Sequence, residues 1–142
     1  MIPFAAVGIQ SITFCDLVNT DRFVGRVNEI TARLMFSMHG VVLSSELCRP
    51  RTEDVPLVFP HDGAPDVEFD LDPEAMTMLQ PFFRPTGGVA STCAVITGQL
   101  FVKRDFRSKR EAGGRQGNGF GPRGAFRRAF VLQSVKRVFD CD

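Results

Sequence analysis

Between Ser91 and Arg104 the chain alternates in pattern without a break, and this run constrains the fold more than any other. Cys93, Val95, Thr97, Gln99 and Phe101 fall on one side; Ala94, Ile96, Gly98, Leu100 and Val102 fall on the other. Side chains of an extended strand point to opposite faces at a period of two, so the run is a long strand with an apolar face to bury. Partners for it are visible elsewhere. Val27, Ile30, Ala32, Leu34 and Phe36 predict a strand over 26–36, Met38-His39-Gly40 is a turn signal, and Val41–Glu46 continues as a second strand. Residues 30–46 therefore read as a hairpin or a strongly bent long strand. Asp66-Val67-Glu68-Phe69-Asp70-Leu71-Asp72 alternates acid with apolar and predicts a third, half-buried strand. A last strand, rich in Phe, Val and Leu, is expected over 125–139.

The intervening segments carry helix and loop signals. Residues 1–13 read as an irregular arm broken by Pro3 and Gly8. A short helix or helical turn follows, capped by Asp16 or Thr13 and stopping at Gly25, with a break at Asn19–Asp21 equally compatible. Residues 48–65 hold Pro50, Pro56, Pro60, Gly63 and Pro65 and read as a loop with a short extended piece at Val55–Phe59. Asp72 is placed to N-cap a short helix whose first position is Pro73, closed by Pro81 and Pro85. Residues 105–124 lack apolar periodicity and form a long, basic, Gly-rich loop, a length that is functional or disordered by default.

The order is thus three strands, a short helix, a strand, a long loop and a strand. A five-stranded barrel with a helix between its third and fourth strands is the OB-fold arrangement, so the expected class is all-β with a single OB-like domain over residues 1–142. A β-sandwich is the alternative, although its seven short strands are not visible.

Asp16-Leu17, then Asp21-Arg22-Phe23-Val24-Gly25-Arg26 running into a strand, resembles the opening of small bacterial OB-like domains, many of them uncharacterised proteins and some of them lipoproteins. Gly98-Gln99-Leu100-Phe101, Asn118-Gly119-Phe120-Gly121-Pro122-Arg123-Gly124-Ala125-Phe126 and Val131-Leu132-Gln133-Ser134-Val135 are similar to their ending. The resemblance spans roughly residues 13–139 and rests on turn and core positions. It implies a fold and no activity. Two departures stand out: the strand-ending Gly is replaced near Ala32–Arg33, and Pro122 stands where the family has His in the late loop.

Charge is unevenly distributed. Residues 1–100 carry six Arg, no Lys and twelve Asp+Glu, a balance of −6, whereas residues 101–142 carry eleven Lys+Arg and four Asp+Glu, a balance of +7. Opposite charges in one small domain offset each other, or they mark an interaction surface. Lys103, Arg104, Arg107, Lys109, Arg110, Arg115, Arg123 and Arg127 are interleaved with Phe106 and Phe120, and they are the candidate partner-binding residues. Cations that track a phosphate backbone and aromatics that stack on bases are what single-stranded nucleic acid requires. A solvated, mobile hairpin loop explains the same residues. Asp66, Glu68, Asp70 and Asp72 form an acidic strip that could face solvent, take a cation, or meet the basic loop within the monomer or across a dimer.

Cys15, Cys48, Cys93 and Cys141 have no C-x-x-C spacing, which argues against zinc. Cys93 is expected in the core, and Cys48 and Cys141 are placed where a disulfide could form in an oxidising compartment. His39 and His61 belong to no ligand pair, and no nucleophile elbow, P-loop or dinucleotide fingerprint is present. The expectation is therefore a non-enzymatic binding module with no metal and no cofactor. Its partner would be another protein or a second copy, met in an adaptor, inhibitor or immunity-type role through the charge-split surface. The alternative is single-stranded nucleic-acid binding through residues 103–128. No stretch reads as a transmembrane helix, and Met1-Ile2-Pro3-Phe4 lacks a basic n-region, so a cytoplasmic product is the default, or a periplasmic or secreted one if a leader had been removed.

Overall fold

The computed structural model describes residues 11–141. Six strands are present: β1 (Ser11–Thr13), β2 (Val27–Ser37), β3 (Gly40–Leu43), β4 (Val55–Val58), β5 (Ala90–Val102) and β6 (Arg128–Phe139). Five of them close a barrel in the order β2-β3-β4-β6-β5 and back to β2, the connectivity expected of an OB-like fold. β2–β3–β4 is an antiparallel meander, β4 runs parallel to β6, and β5 is antiparallel to both β6 and β2. The expectation for residues 1–10 lies outside the described residues, but Ser11–Thr13 is not irregular. It pairs in parallel with Glu29–Thr31 of β2.

The barrel interior follows the sequence alternation. Ile30, Ala32, Leu34 and Phe36 of β2, Val41 and Leu43 of β3, Val55 and Leu57 of β4, Ala94, Ile96 and Leu100 of β5 and Phe130, Leu132 and Val135 of β6 form one buried cluster. Leu132 and Val135 both face inward because the register of β6 slips by one residue opposite Thr97/Gly98. Such a bulge lets two residues oppose one and re-aims those that follow. Gly98 is required by packing: a Cβ there would lie 2.3 Å from the Val131 carbonyl oxygen and 2.5 Å from the Phe130 ring.

The helices close the barrel ends. Thr13 caps α1 (Phe14–Val18) by accepting from the Asp16 N–H, and a separate 3₁₀ turn over Asp21–Phe23 follows before Gly25. Asp72 caps α2 (Pro73–Leu79) as expected, accepting from the Glu74 N–H, and Ala75 and Leu79 plug the core. No helix among the described residues is long and apolar enough to cross a membrane.

Two expectations are corrected. The third barrel strand is Val55–Val58, not Asp66–Asp72. The acidic segment bends at Glu68 and Phe69 and joins no ladder, with Val67, Phe69 and Leu71 half-buried and the acids exposed. Its alternation arises because it drapes over β6, tied by Asp72 N–H to the Gln133 carbonyl at 2.8 Å. Cys93 is not a core thiol. It sits half-exposed on the outer face of β5 and is bonded to Cys141, while Cys15 is bonded to Cys48.

Candidate functional site

The β5–β6 connection is the segment singled out by charge, and it is built rather than loose. α3 (Lys109–Ala112) is opened by a capping box in which Ser108 Oγ accepts from the Glu111 N–H at 3.2 Å and Glu111 Oε1 accepts from the Ser108 N–H at 3.1 Å. The Ser108 N–H, then its hydroxyl, hold the Glu111 carboxyl below its usual value, and Arg107 and Arg127 add to the effect. Asn118 clamps the two limbs, accepting from the Arg107 N–H and donating to the Asp105 carbonyl. Phe120 and Phe126 exchange both backbone hydrogen bonds, at 2.7 and 3.0 Å. Gly119 admits no side chain, since a Cβ would lie 2.0 Å from the Phe126 carbonyl oxygen.

This loop separates its cations into two groups. Arg104 pairs with Asp21 at 2.9 Å, Arg107 donates to the Glu111 carbonyl at 3.1 Å, and Arg127 stacks over the Phe106 ring at 5.3 Å. These three serve the fold. Lys109, Arg110, Arg115 and Arg123 are exposed, and among the described residues no carboxylate lies within salt-bridge distance of them. Phe106 and Phe120 are half-buried within the loop, not laid out as open stacking surfaces. Lys103 is likewise half-buried at the base, where its N–H donates to the Arg127 carbonyl.

The acidic strip does not meet these cations in any ion pair among the described residues. Asp70 lies 3.0 Å from His61 Nε2, Asp72 is spent on the α2 cap, and Asp66 and Glu68 flank a shallow cleft with Gln99 and Gln133. No group of three or more His, Cys, Asp or Glu side chains is placed to hold a metal ion among the described residues.

One concavity on the barrel was not legible as a site. A groove of about 620 Å³ runs over the outer face of β3 and β4. Val42 and Ser44 line it from β3 and its exit, and Pro56 and Val58 line it from β4. The β2–β3 turn walls one end with His39, and Gly121, Pro122 and Phe126 of the long loop wall the other. In OB folds this strand face and these two loops form the ligand surface. The lining is mostly apolar, and its charged members are Glu46, Arg51 and Asp54. Asp54 is already committed, accepting from Ser45 N–H at 2.8 Å and Ser45 Oγ at 2.9 Å. The signal that would have found the groove is the strand assignment itself: with β4 placed at Asp66–Asp72, Pro56 and Val58 belong to no barrel face.

Comparison of the chain with family models, with curated proteins and with solved structures finds no match.

Proposed function

We propose that this chain is a non-enzymatic protein-binding module that receives an apolar segment of a partner protein in the β3–β4 groove. The observation that carries the reading is the groove's composition. Val42, Pro56, Val58 and Phe126 offer aliphatic and aromatic contact, and Val89, at 67% exposed, extends it at the rim. Specific protein interfaces gain most from a desolvated apolar centre with a polar rim. Glu46 and Arg51 supply that rim.

The same composition disfavours single-stranded nucleic acid at this face. Bases need open aromatic platforms, and a phosphate backbone needs cations along its track. β3 and β4 present Val42 and Val58 where stacking residues would stand, and Glu46 and Asp54 place carboxylates at the groove. The reading includes the OB-like kinship with small bacterial domains as a proposal, because the barrel is the common ground.

The setting we propose is an oxidising compartment rather than the cytoplasm. All four cysteines are paired, across separations of 33 and 48 residues. Structural disulfides persist in periplasmic and secreted proteins and are rare where glutathione and thioredoxin keep thiols reduced.

Val42→Asp tests the groove. Burying a carboxylate against a partner's apolar side chain costs well over the ~1.4 kcal/mol that equals tenfold in affinity. A partner recovered with the wild-type protein, purified and titrated, is expected to bind Val42→Asp at least about tenfold more weakly. Glu68→Arg, on the far cleft, should leave affinity unchanged. Equal affinity for Val42→Asp would refute the groove reading, and salt-sensitive retention on single-stranded DNA at about 50 mM salt would favour the nucleic-acid one.

A further inference from the structure

Arg123 occupies a conformation in which an L side chain is rarely found. Its φ is 57° and ψ 21°, the left-handed region, within a loop that uses glycine freely at such positions. Gly113, Gly121 and Gly124 have φ of 68°, 71° and 61° around it. Glycine visits this region without steric cost, whereas a residue with a Cβ is strained there. The backbone is held in place regardless of the side chain, because the Gly117 N–H donates to the Arg123 carbonyl at 2.9 Å and the Gly124 N–H donates to Gly121 at 3.1 Å. Strain retained where glycine would relieve it points to work done by the side chain.

That side chain converges with others. Lys109, Arg115, Gln116 and Arg123 line one cleft of about 360 Å³. No carboxylate among the described residues lies within salt-bridge distance of its three cations. The cleft shares no lining residue with the β3–β4 groove. It also lacks an aromatic surface, which removes base stacking from its repertoire.

We propose that this cleft is an anion site for a phosphate group, with Arg115 and Arg123 as forked donors, Lys109 as a point charge and Gln116 as a neutral donor. Guanidinium groups match the spacing of phosphate oxygens two at a time, and several cations on one dianion reinforce each other. The phosphate could be free or carried on a lipid headgroup, and the two sources are separable.

The decisive variant is Arg123→Gly. It removes the charge and relieves the backbone strain together, so loss of binding at an unchanged or raised thermal midpoint is not the result of a damaged fold. Inorganic pyrophosphate is titrated into isotopically labelled protein while the amide signals of residues 109–124 are followed. Vesicles containing phosphatidic acid, against neutral vesicles, are co-sedimented with the same proteins. Wild type is expected to saturate with one or both probes. Arg123→Gly should weaken that binding about tenfold or more, as expected for a lost charge-assisted contact, with its thermal midpoint unchanged or raised. Saturation by pyrophosphate identifies a free ligand, and retention on acidic vesicles alone identifies a headgroup. Absence of both, or equal binding by Arg123→Gly, overturns the proposal. If Arg123→Gly unfolds, Arg115→Gln provides the same reading at a residue with ordinary backbone.

Discussion

Removing the two disulfides should separate chain entropy from burial. A cross-link stabilises mainly by excluding open conformations of the unfolded chain. For the 33-residue separation of Cys15–Cys48 the loop-closure relation gives about 3.7 kcal/mol, and for the 48-residue separation of Cys93–Cys141 about 4.1 kcal/mol. Entropy alone therefore ranks the longer loop first by a few tenths of a kcal/mol. Burial reverses the order. Cys48 is 1% exposed, so Cys15→Ser/Cys48→Ser strands a hydroxyl in the core at a further cost of about 1–3 kcal/mol. Cys93 and Cys141 are half-exposed, and serine there is hydrated. Urea unfolding of the wild type and both double variants measures the difference. With a slope of about 1.5–2 kcal/mol/M, Cys93→Ser/Cys141→Ser should lower the midpoint by about 2–3 M, and Cys15→Ser/Cys48→Ser should lower it further. Together the bridges contribute about 8 kcal/mol, at least about half of a typical total of about 5–15, so full reduction should destabilise the protein severely. A reduced protein with an unchanged urea midpoint, or a Cys93–Cys141 variant less stable than the Cys15–Cys48 one, would refute this reasoning.

Two further outcomes follow from the long loop. Gly119→Ala drives a methyl to within 2.0 Å of the Phe126 carbonyl and into the Phe106 ring, so the loop must open at a cost of about 1–3 kcal/mol. Gly114→Ala meets nothing within 4 Å and should be neutral or slightly stabilising, and thermal unfolding of the pair distinguishes a packed loop from a slack one. The α3 capping box predicts a pH effect. Glu111 is held below its ordinary value of 4.5 in the folded protein, so its support is complete above that value and is lost as pH falls through the lower folded one. An NMR titration of the Ser108 amide should turn over below pH 4.5 and shift upward in Ser108→Ala; a midpoint at or above 4.5 in the wild type would contradict the box.

Much of the barrel was legible because its strands bury one face. β2, β3 and β5 announce themselves by alternating, β6 by its richness in Phe, Val and Leu, and α2 through Asp72 and Pro73. β4 was hidden for a physical reason. It is four residues long and contains Pro56, which reads as a strand breaker. Pro56 is tolerated because the parallel ladder to β6 begins only at Leu57, so at Pro56 the strand has β3 as its one neighbour. Asp66–Asp72 mimicked the missing strand because a segment lying on a barrel can bury alternate residues without joining a ladder. The cysteine pairing was beyond the sequence, since four cysteines allow three connectivities and local spacing favours none. The cations were legible as a group, but not which of them the fold consumes. Arg104 finds Asp21 across a separation of 83 residues, which no local pattern announces.

The bridges also determine how this molecule would carry a mechanical load. Cys15–Cys48 encloses β2 and β3, and Cys93–Cys141 encloses β6 and nearly all of β5. A pull between residue 15 and residue 141 runs along the shortest covalent path, through both sulfur pairs, and bypasses four of the five barrel strands. The only chain free to pay out is the stretch from Cys48 to Cys93, which holds β4 and α2 and spans about 150 Å when drawn straight. Under tension the oxidised protein would behave as a tether between two locked loops, paying out β4 and α2 and extending no further until a bridge is cut.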